Sequence, residues 1–253
     1  MMRYLRYLSS QSLDEGFVPN HKPGSELFYR TPDWQRYKVF KGHTEGRLTE
    51  SQARRYDRHA GEITKLIPHD SRVLSLGGGT GSLEQRLARA DPTSTFVVSD
   101  IYDREPVEGI AFSQLDMSDT SAVSSALVGV DTVLISNALS PLLPDEVDAL
   151  FAAIGRSDVQ SIIVYSAEDI RPLGFVLTTA KRALRPRRAM WLGYLYSSGY
   201  IRRMTGRAGF IHSKIWMPDE HGPLTRLWGS VYLAVLSRSP QSGWNIDASK
   251  LVM

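Results

Sequence analysis

Apolar residues along this chain follow two alternating periods. TESQARRYDRHAGEITKLI (49–67) repeats them at helical spacing, with Ala53, Tyr56, Ala60, Ile63 and Leu66 or Ile67 on one face. Thr49 followed three places on by Gln52 predicts a capping box at the start of this helix, and Pro68 ends it. Short, nearly continuous apolar runs come next and read as strands: SRVLSL (71–76), TFVVSD (95–100), IAFSQLD (110–116), DTVLIS (131–136) and VQSIIVYS (159–166). Between them lie the helix-period segments SLEQRLARA (82–90), TSAVSSALVG (120–129) and PDEVDALFAAIGR (144–156). Strands apolar on both faces must be covered on both sides, so the pattern predicts a doubly wound α/β domain with a mostly parallel sheet and helices on both faces.

The remainder is less regular. RPLGFVLTTAKRALR (171–185) has helical spacing, MWLGYLYSSGYIRRMTG (190–206) is aromatic-rich, and GFIHSKIWM (209–217) and SVYLAVLSR (230–238) read as strands. The loop-like PDEHGPLTRLWG (218–229) between those two strands suits antiparallel neighbours at one sheet edge. Residues 1–48, rich in Tyr, Phe, Pro and Gly, read as an irregular arm with at most one short helix. The expected organisation is therefore an arm (1–48), one domain (49–240) containing a helical and aromatic pocket segment (173–209), and a tail (241–253).

Composition narrows the chemistry. A length of 253 residues with 42% hydrophobic and 23% charged residues describes an ordinary globule of one large domain. There is no cysteine, which excludes disulfides, thiolate nucleophiles and cysteine-based zinc or iron–sulfur centres. No run approaches the roughly 18 apolar residues of a membrane span. MMRYLRYLSS lacks the apolar stretch of a secretory signal, so the expected location is the cytoplasm. A net charge of +3 is too small to mark a nucleic-acid binder.

VLSLGGGTGSLEQRL (73–87) carries the candidate chemistry, because its first strand ends at Leu76 and ligands of open parallel sheets bind beyond the carboxyl ends of the strands. The missing side chains of Gly77, Gly79 and Gly81 let backbone approach a ligand, and the helix that follows offers unpaired N–H groups. A dinucleotide fingerprint, G-x-G-x-x-G, needs a third glycine; counted from Gly77 that place is Ser82, and from Gly79 it is Glu84. About twenty residues on, Asp100 ends a strand where a carboxylate can accept from both hydroxyls of a ribose, although an aspartate there also suits a turn or helix cap.

The G-x-G-x-G of VLSLGGGTGSL resembles motif I of the class I S-adenosylmethionine-dependent methyltransferases, and the likeness extends over residues 50–238. The resemblance implies a seven-stranded sheet in the order 3-2-1-4-5-7-6 with strand seven antiparallel. It implies S-adenosyl-L-methionine as cofactor, lying on Gly77, Gly78, Gly79 and Gly81, with Asp100 at the sugar and Ile101 among the contacts. Asp116 would meet the adenine amino group and Met117 the ring, while Ser136, Asn137 and Ala138 would reach the methionine end. Tyr56 would contact the cofactor carboxylate, with core packing as its other reading; LDMSD around Asp116 equally makes a turn and helix cap.

A second resemblance competes. GIAFSQLDMSDTSAVSSALVGVDTVLISNAL with VQSIIVYSAED is similar to the middle of NAD(P)-dependent short-chain dehydrogenases and sugar epimerases. Those enzymes need G-x-x-G-x-x-G, whereas Gly78 and Gly81 are followed by Glu84, whose carboxylate opposes a pyrophosphate. They also need Tyr-x-x-x-Lys, and Tyr165 is followed four places on by Asp169. A non-catalytic cofactor-binding protein of the same fold is the third reading.

Methyl transfer requires donor and nucleophile aligned about 3 Å apart, with a base where the acceptor is a hydroxyl. Candidate bases are His59, Glu168, Asp169, His212 and His221, none singled out by spacing, so the catalytic residue is unassigned and no metal cluster is expected. KRALRPRR (181–188) beside the aromatic segment suits an anionic substrate, a lipid headgroup or RNA, but the spacing of Trp191, Leu192, Leu195 and Ile201 favours a packed lid. The expected function is transfer of a methyl group to O or N of a small organic acceptor, with no nucleic-acid or membrane partner and a homo-oligomer left open.

Overall fold

The computed structural model of the chain describes residues 17–20, 50–101, 108–166, 193–216 and 232–240. Their elements are β1 (Phe17–Asn20), α1 (Glu50–Thr64), β2 (Arg72–Leu76), α2 (Ser82–Ala90), β3 (Thr95–Asp100), β4 (Ile110–Gln114) and α3 (Thr120–Ala126). The series continues with β5 (Thr132–Ser136), α4 (Pro144–Gly155), β6 (Ser161–Ser166), β7 (Gly193–Tyr196), α5 (Ser198–Arg207), β8 (His212–Trp216) and β9 (Tyr232–Ser237).

One seven-stranded sheet runs β4-β3-β2-β5-β6-β9-β8. Strands β2 to β6 are mutually parallel where they pair, and β9 is antiparallel to both β6 and β8. Counted along the chain from β2, the order is 3-2-1-4-5-7-6 with the seventh strand reversed, as the motif resemblance implies. The reversal excludes the usual dinucleotide order 3-2-1-4-5-6, in which the sixth strand lies beside the fifth. Here β9 takes that place.

Strand side chains alternate between faces, so each run feeds two cores. Val73, Val98, Leu134, Ile163 and Val235 meet Ala60, Ile63, Leu83 and Leu87 of α1 and α2 on one face. Leu74, Leu76, Ile135, Val164 and Ala234 meet Val123, Val147, Phe151, Ile154 and Ile201 on the other. Every residue of β9 is buried, as expected of an interior strand covered twice. Among the described residues no helix is long and apolar enough to cross a membrane.

Within the described residues of the arm the structure shows one regular element. Phe17–Asn20, inside the supposedly irregular arm, is a strand that pairs antiparallel with β7, Phe17 opposite Tyr196 and Asn20 opposite Gly193. From Gly193 the aromatic segment forms β7 followed by α5, whose Ser197 accepts a hydrogen bond from the Tyr200 N–H at 3.1 Å. Ile201 is fully buried, in keeping with the lid reading. Thr49, the helix expected over 171–185, residues 181–188, Trp191 and Leu192 lie outside the described residues.

Candidate functional site

The carboxyl ends of β2, β3 and β5 converge on the turn from Gly77 to Gly81. Gly77, Gly79 and Gly81 hold φ of 68°, 62° and 71°, a left-handed region costly to any residue with a Cβ. The turn is closed by hydrogen bonds from Gly78 N–H to the Ser99 carbonyl and from Gly81 N–H to the Gly78 carbonyl, each 3.0 Å. Its glycines are required for different reasons. A Cβ on Gly77 would fall 2.5 Å from Ala138 Cβ and 3.1 Å from Met117 Cε, and one on Gly81 would fall 2.6 Å from Ile110 Cδ1. A Cβ on Gly78 would meet Val98 at 2.6 Å, while around Gly79 nothing lies within 4 Å. Three glycines thus serve packing, and Gly79 opens onto the crevice.

Asp100 ends β3 with 5% of its surface exposed, and its Oδ2 accepts from the Gly79 N–H at 3.0 Å. The carboxylate is fixed against the glycine turn at the spacing the sequence suggested. Ile101 follows it, 49% exposed and apolar, at the mouth of the crevice. Across the sheet Met117 is half-buried and touches the space that Gly77 leaves. Asp116 is exposed; its Oδ1 accepts from the Ser118 N–H at 2.9 Å and from the Ser118 hydroxyl at 2.7 Å. That turn precedes α3, which Asp119 caps by accepting from the N–H groups of Ser121 and Ala122.

Ser136 ends β5 half-buried, and Asn137 follows at φ 53°, exposed, its N–H donating to the Tyr165 carbonyl at 2.8 Å. Tyr56, half-buried on α1, lies under the Arg86 guanidinium at 5.8 Å. Arg86 also donates to Asp57 at 2.6 Å and to the Ser82 carbonyl at 2.7 Å, so Tyr56 stands beside the first turn of α2 and the glycine turn.

Of the candidate bases, the fold carries His59 to the crevice end of the sheet and leaves His212 at the other. His59 is buried, its Nε2 3.2 Å from the Tyr165 hydroxyl, and Tyr165 is level with Ser136. His212 pairs with Ser237, which pairs with Ser161, the first residue of β6, placing it at the amino end of the sheet. Glu168, Asp169 and His221 lie outside the described residues. Among the described residues no group of three His, Cys, Asp or Glu side chains is arranged to hold a metal.

Glu84 was legible only as a charge unsuited to a pyrophosphate. It is in fact buried directly beneath the turn, its Oε1 accepting from the Ser75 hydroxyl at 2.6 Å. A Cβ on Gly78 would stand 3.1 Å from both that oxygen and Ser75 Oγ. Oε2 is buried with no hydrogen-bond partner among the described residues. Burial pushes the carboxyl up to about 6, with the Ser75 hydroxyl and its own backbone N–H pulling back. An orphaned buried acceptor costs about 1–3 kcal/mol, offset in part by the helix dipole at the first turn of α2. The sequence held a signal: Glu84 lies three places before the buried Leu87, on the apolar face of its helix.

No known family profile matches the chain, and no curated protein matches it in sequence. Solved structures do. The magnesium protoporphyrin IX methyltransferase of Synechocystis, with bound SAH, aligns at 18% identity and TM-score 0.52 over 83% of this chain and 96% of its own. Human N-acetylserotonin methyltransferase, in complex with SAM, aligns at 18% and 0.54 over 87% of this chain. The mitomycin 7-O-methyltransferase aligns at 16% and 0.51 over 86%. This chain spans 61% and 62% of the lengths of those last two proteins. The likenesses are of fold.

Proposed function

From the class I S-adenosylmethionine-dependent methyltransferase fold that this chain adopts, we propose that its crevice binds S-adenosyl-L-methionine. We further propose that the chain moves the methyl group to an oxygen or nitrogen of a small organic acceptor. The observation that carries the reading is the pairing of an open Gly79 with a buried Asp100 carboxylate fixed on its N–H. A carboxylate held at the rim of a side-chain-free turn suits a ribose diol, because two hydroxyls can donate to one acceptor group.

The residues present fit the cofactor. Asp100 would accept from the sugar hydroxyls, Ile101 and Met117 would offer apolar surface to the adenine, and Asp116, whose Oδ1 is taken by Ser118, would meet its amino group. Gly77, Gly78, Gly79 and Gly81 let backbone approach, while Tyr56, Ser136 and Asn137 serve the amino-acid end. When bound, the cofactor supplies an electrophilic methyl group on a cationic sulfur. The chain's own part is to orient that group, exclude water and take the acceptor's proton. His59, hydrogen-bonded to Tyr165 at the crevice end of β6, is the candidate for the last task. The small-molecule acceptor is supported by neighbours described as acting on N-acetylserotonin and mitomycin.

Calorimetric titration tests the cofactor. Binding of S-adenosylmethionine and none of NAD(P) is expected; the reverse overturns the reading. Turnover on a panel of phenols, amines and carboxylates, with RNA included, tests the acceptor. Binding without turnover on any of them would favour a non-catalytic cofactor-binding protein.

A further inference from the structure

We propose that Glu84 is the counter-charge that makes this crevice prefer a sulfonium ligand over the neutral thioether left after methyl transfer, an inference that rests on the S-adenosylmethionine reading. The carboxylate lies under the turn, on the side of Gly78 facing the sheet, with Ser75 and Val98 around it. A Cβ on Gly78 would stand 3.1 Å from Glu84 Oε1, so the carboxylate lies against the backbone of the turn whose next residue, Gly79, has open space beside it.

No Lys, Arg or His among the described residues forms an ion pair with Glu84, and no charged neighbour contributes to its altered acidity. Among the described residues its side-chain partner is the Ser75 hydroxyl, and Oε2 has none. A carboxylate buried for structure alone is ordinarily paired or fully hydrogen-bonded. One left with a missing cation, beneath a ligand-binding turn, is completed by a cation that arrives with the ligand. Burial keeps solvent from screening the field, so the interaction reaches across one layer of backbone. With its carboxyl pushed up to about 6, Glu84 sits where a nearby positive charge tips it fully to the ionised form.

The consequence for turnover follows from the charge balance. The acceptor's lone pair takes the methyl group, the S–C bonding pair stays on sulfur, and the acceptor's proton passes to a base. The thioether that remains is neutral at sulfur, so the buried carboxylate no longer has its counter-charge there. Product binding weakens relative to cofactor binding.

The test is titration of S-adenosylmethionine and S-adenosylhomocysteine at pH 7.5 into the wild-type chain and Glu84→Gln, which keeps the size and the acceptor for Ser75. Asp100 addresses the sugar common to both ligands and cancels in their ratio. The variant is expected to weaken S-adenosylmethionine about tenfold and S-adenosylhomocysteine less than about twofold. Equal weakening of both, which a merely supporting role for the turn would give, overturns the proposal, as does no change in either. Should the variant not fold, the wild-type ranking decides: tighter binding of S-adenosylmethionine is expected, and tighter binding of S-adenosylhomocysteine overturns it. A wild-type chain that binds neither ligand refutes the cofactor reading itself, whereas binding with an unchanged ratio refutes only the role of Glu84.

Discussion

Helix α2 carries a buried acid at each end, and the two are treated in opposite ways. At its carboxyl end Asp91 accepts from the Thr93 and Ser94 hydroxyls, each at 2.7 Å, and these bonds hold its carboxyl below the usual range. At its amino end Glu84 has one hydroxyl and an orphaned oxygen, and burial raises it. The same contrast runs across the sheet. At the amino ends of the strands Asp131 accepts from the Arg72 N–H at 2.8 Å, and Thr132 and Ser161 share a 2.8 Å hydrogen bond. Arg238 there donates to the carbonyls of Gly155, Ser157 and Val159 at 2.7, 3.0 and 2.8 Å and stacks 4.7 Å over Phe210. Left-handed backbone occurs near both edges, at Asp70, Gly109 and Gly129 before the strands and at Gly77, Gly79, Gly81 and Asn137 after them, so the contrast lies in how the polar groups are paired. One edge closes its polar groups on the protein; the other leaves a buried Glu84 oxygen without a partner among the described residues.

Substitutions at the two edges should therefore separate stability from binding. Arg238→Met removes the cation that ends α4, and a loss of about 3 kcal/mol in denaturant unfolding is expected, with S-adenosylmethionine affinity unchanged. Asp100→Ala should do the converse: affinity falls about 100-fold by calorimetry, as expected for charge-assisted hydrogen bonds, while the lost bond from the Gly79 N–H lowers unfolding stability by only about 1 kcal/mol. If Arg238→Met weakens binding as much as Asp100→Ala, the division between edges is wrong.

The pH dependence of stability sharpens the contrast between the two acids. Glu84 is raised on folding from 4.5 to about 6, so its contribution is fully present below 4.5 and is lost as pH climbs through 6. The wild-type chain should therefore lose about 2 kcal/mol against Glu84→Gln between pH 4.5 and 7.5. Asp91, held low, acts with the other sign: its contribution is present above its ordinary 3.8 and is lost as pH falls. Parallel profiles for Glu84→Gln and Asp91→Asn would contradict this. The smallest effect is expected at Gly79→Ala, where the left-handed backbone costs about 1 kcal/mol and the open space adds no clash.

The parallel sheet was legible because its interior strands are near-continuous apolar runs separated by helix-period segments, a pattern that needs cover on both faces. The reversed interior strand was readable only through the motif resemblance. The β1–β7 ribbon was not: FVPN contains a proline that argues against a strand, and its partner GYLY lies more than 170 residues on. Asp100 could be found from spacing because it acts at a strand end. For Glu84 the helical period shows that it is buried but not what it meets, because the contact with Ser75 beneath Gly78 is encoded in no period. The position of His212 depended on strand register, which is set by pairing across the sheet rather than along the chain.

Strand β9 lies between β6 and β8, although it follows both in the chain. During synthesis β8 thus emerges before it has a strand to lie against, and the gap beside β6 stays open until Tyr232–Ser237 arrives. A chain stopped ahead of Tyr232 would forfeit two strands for the loss of one. Released truncations ending before Tyr232 and after Ser237 should differ abruptly in protease resistance.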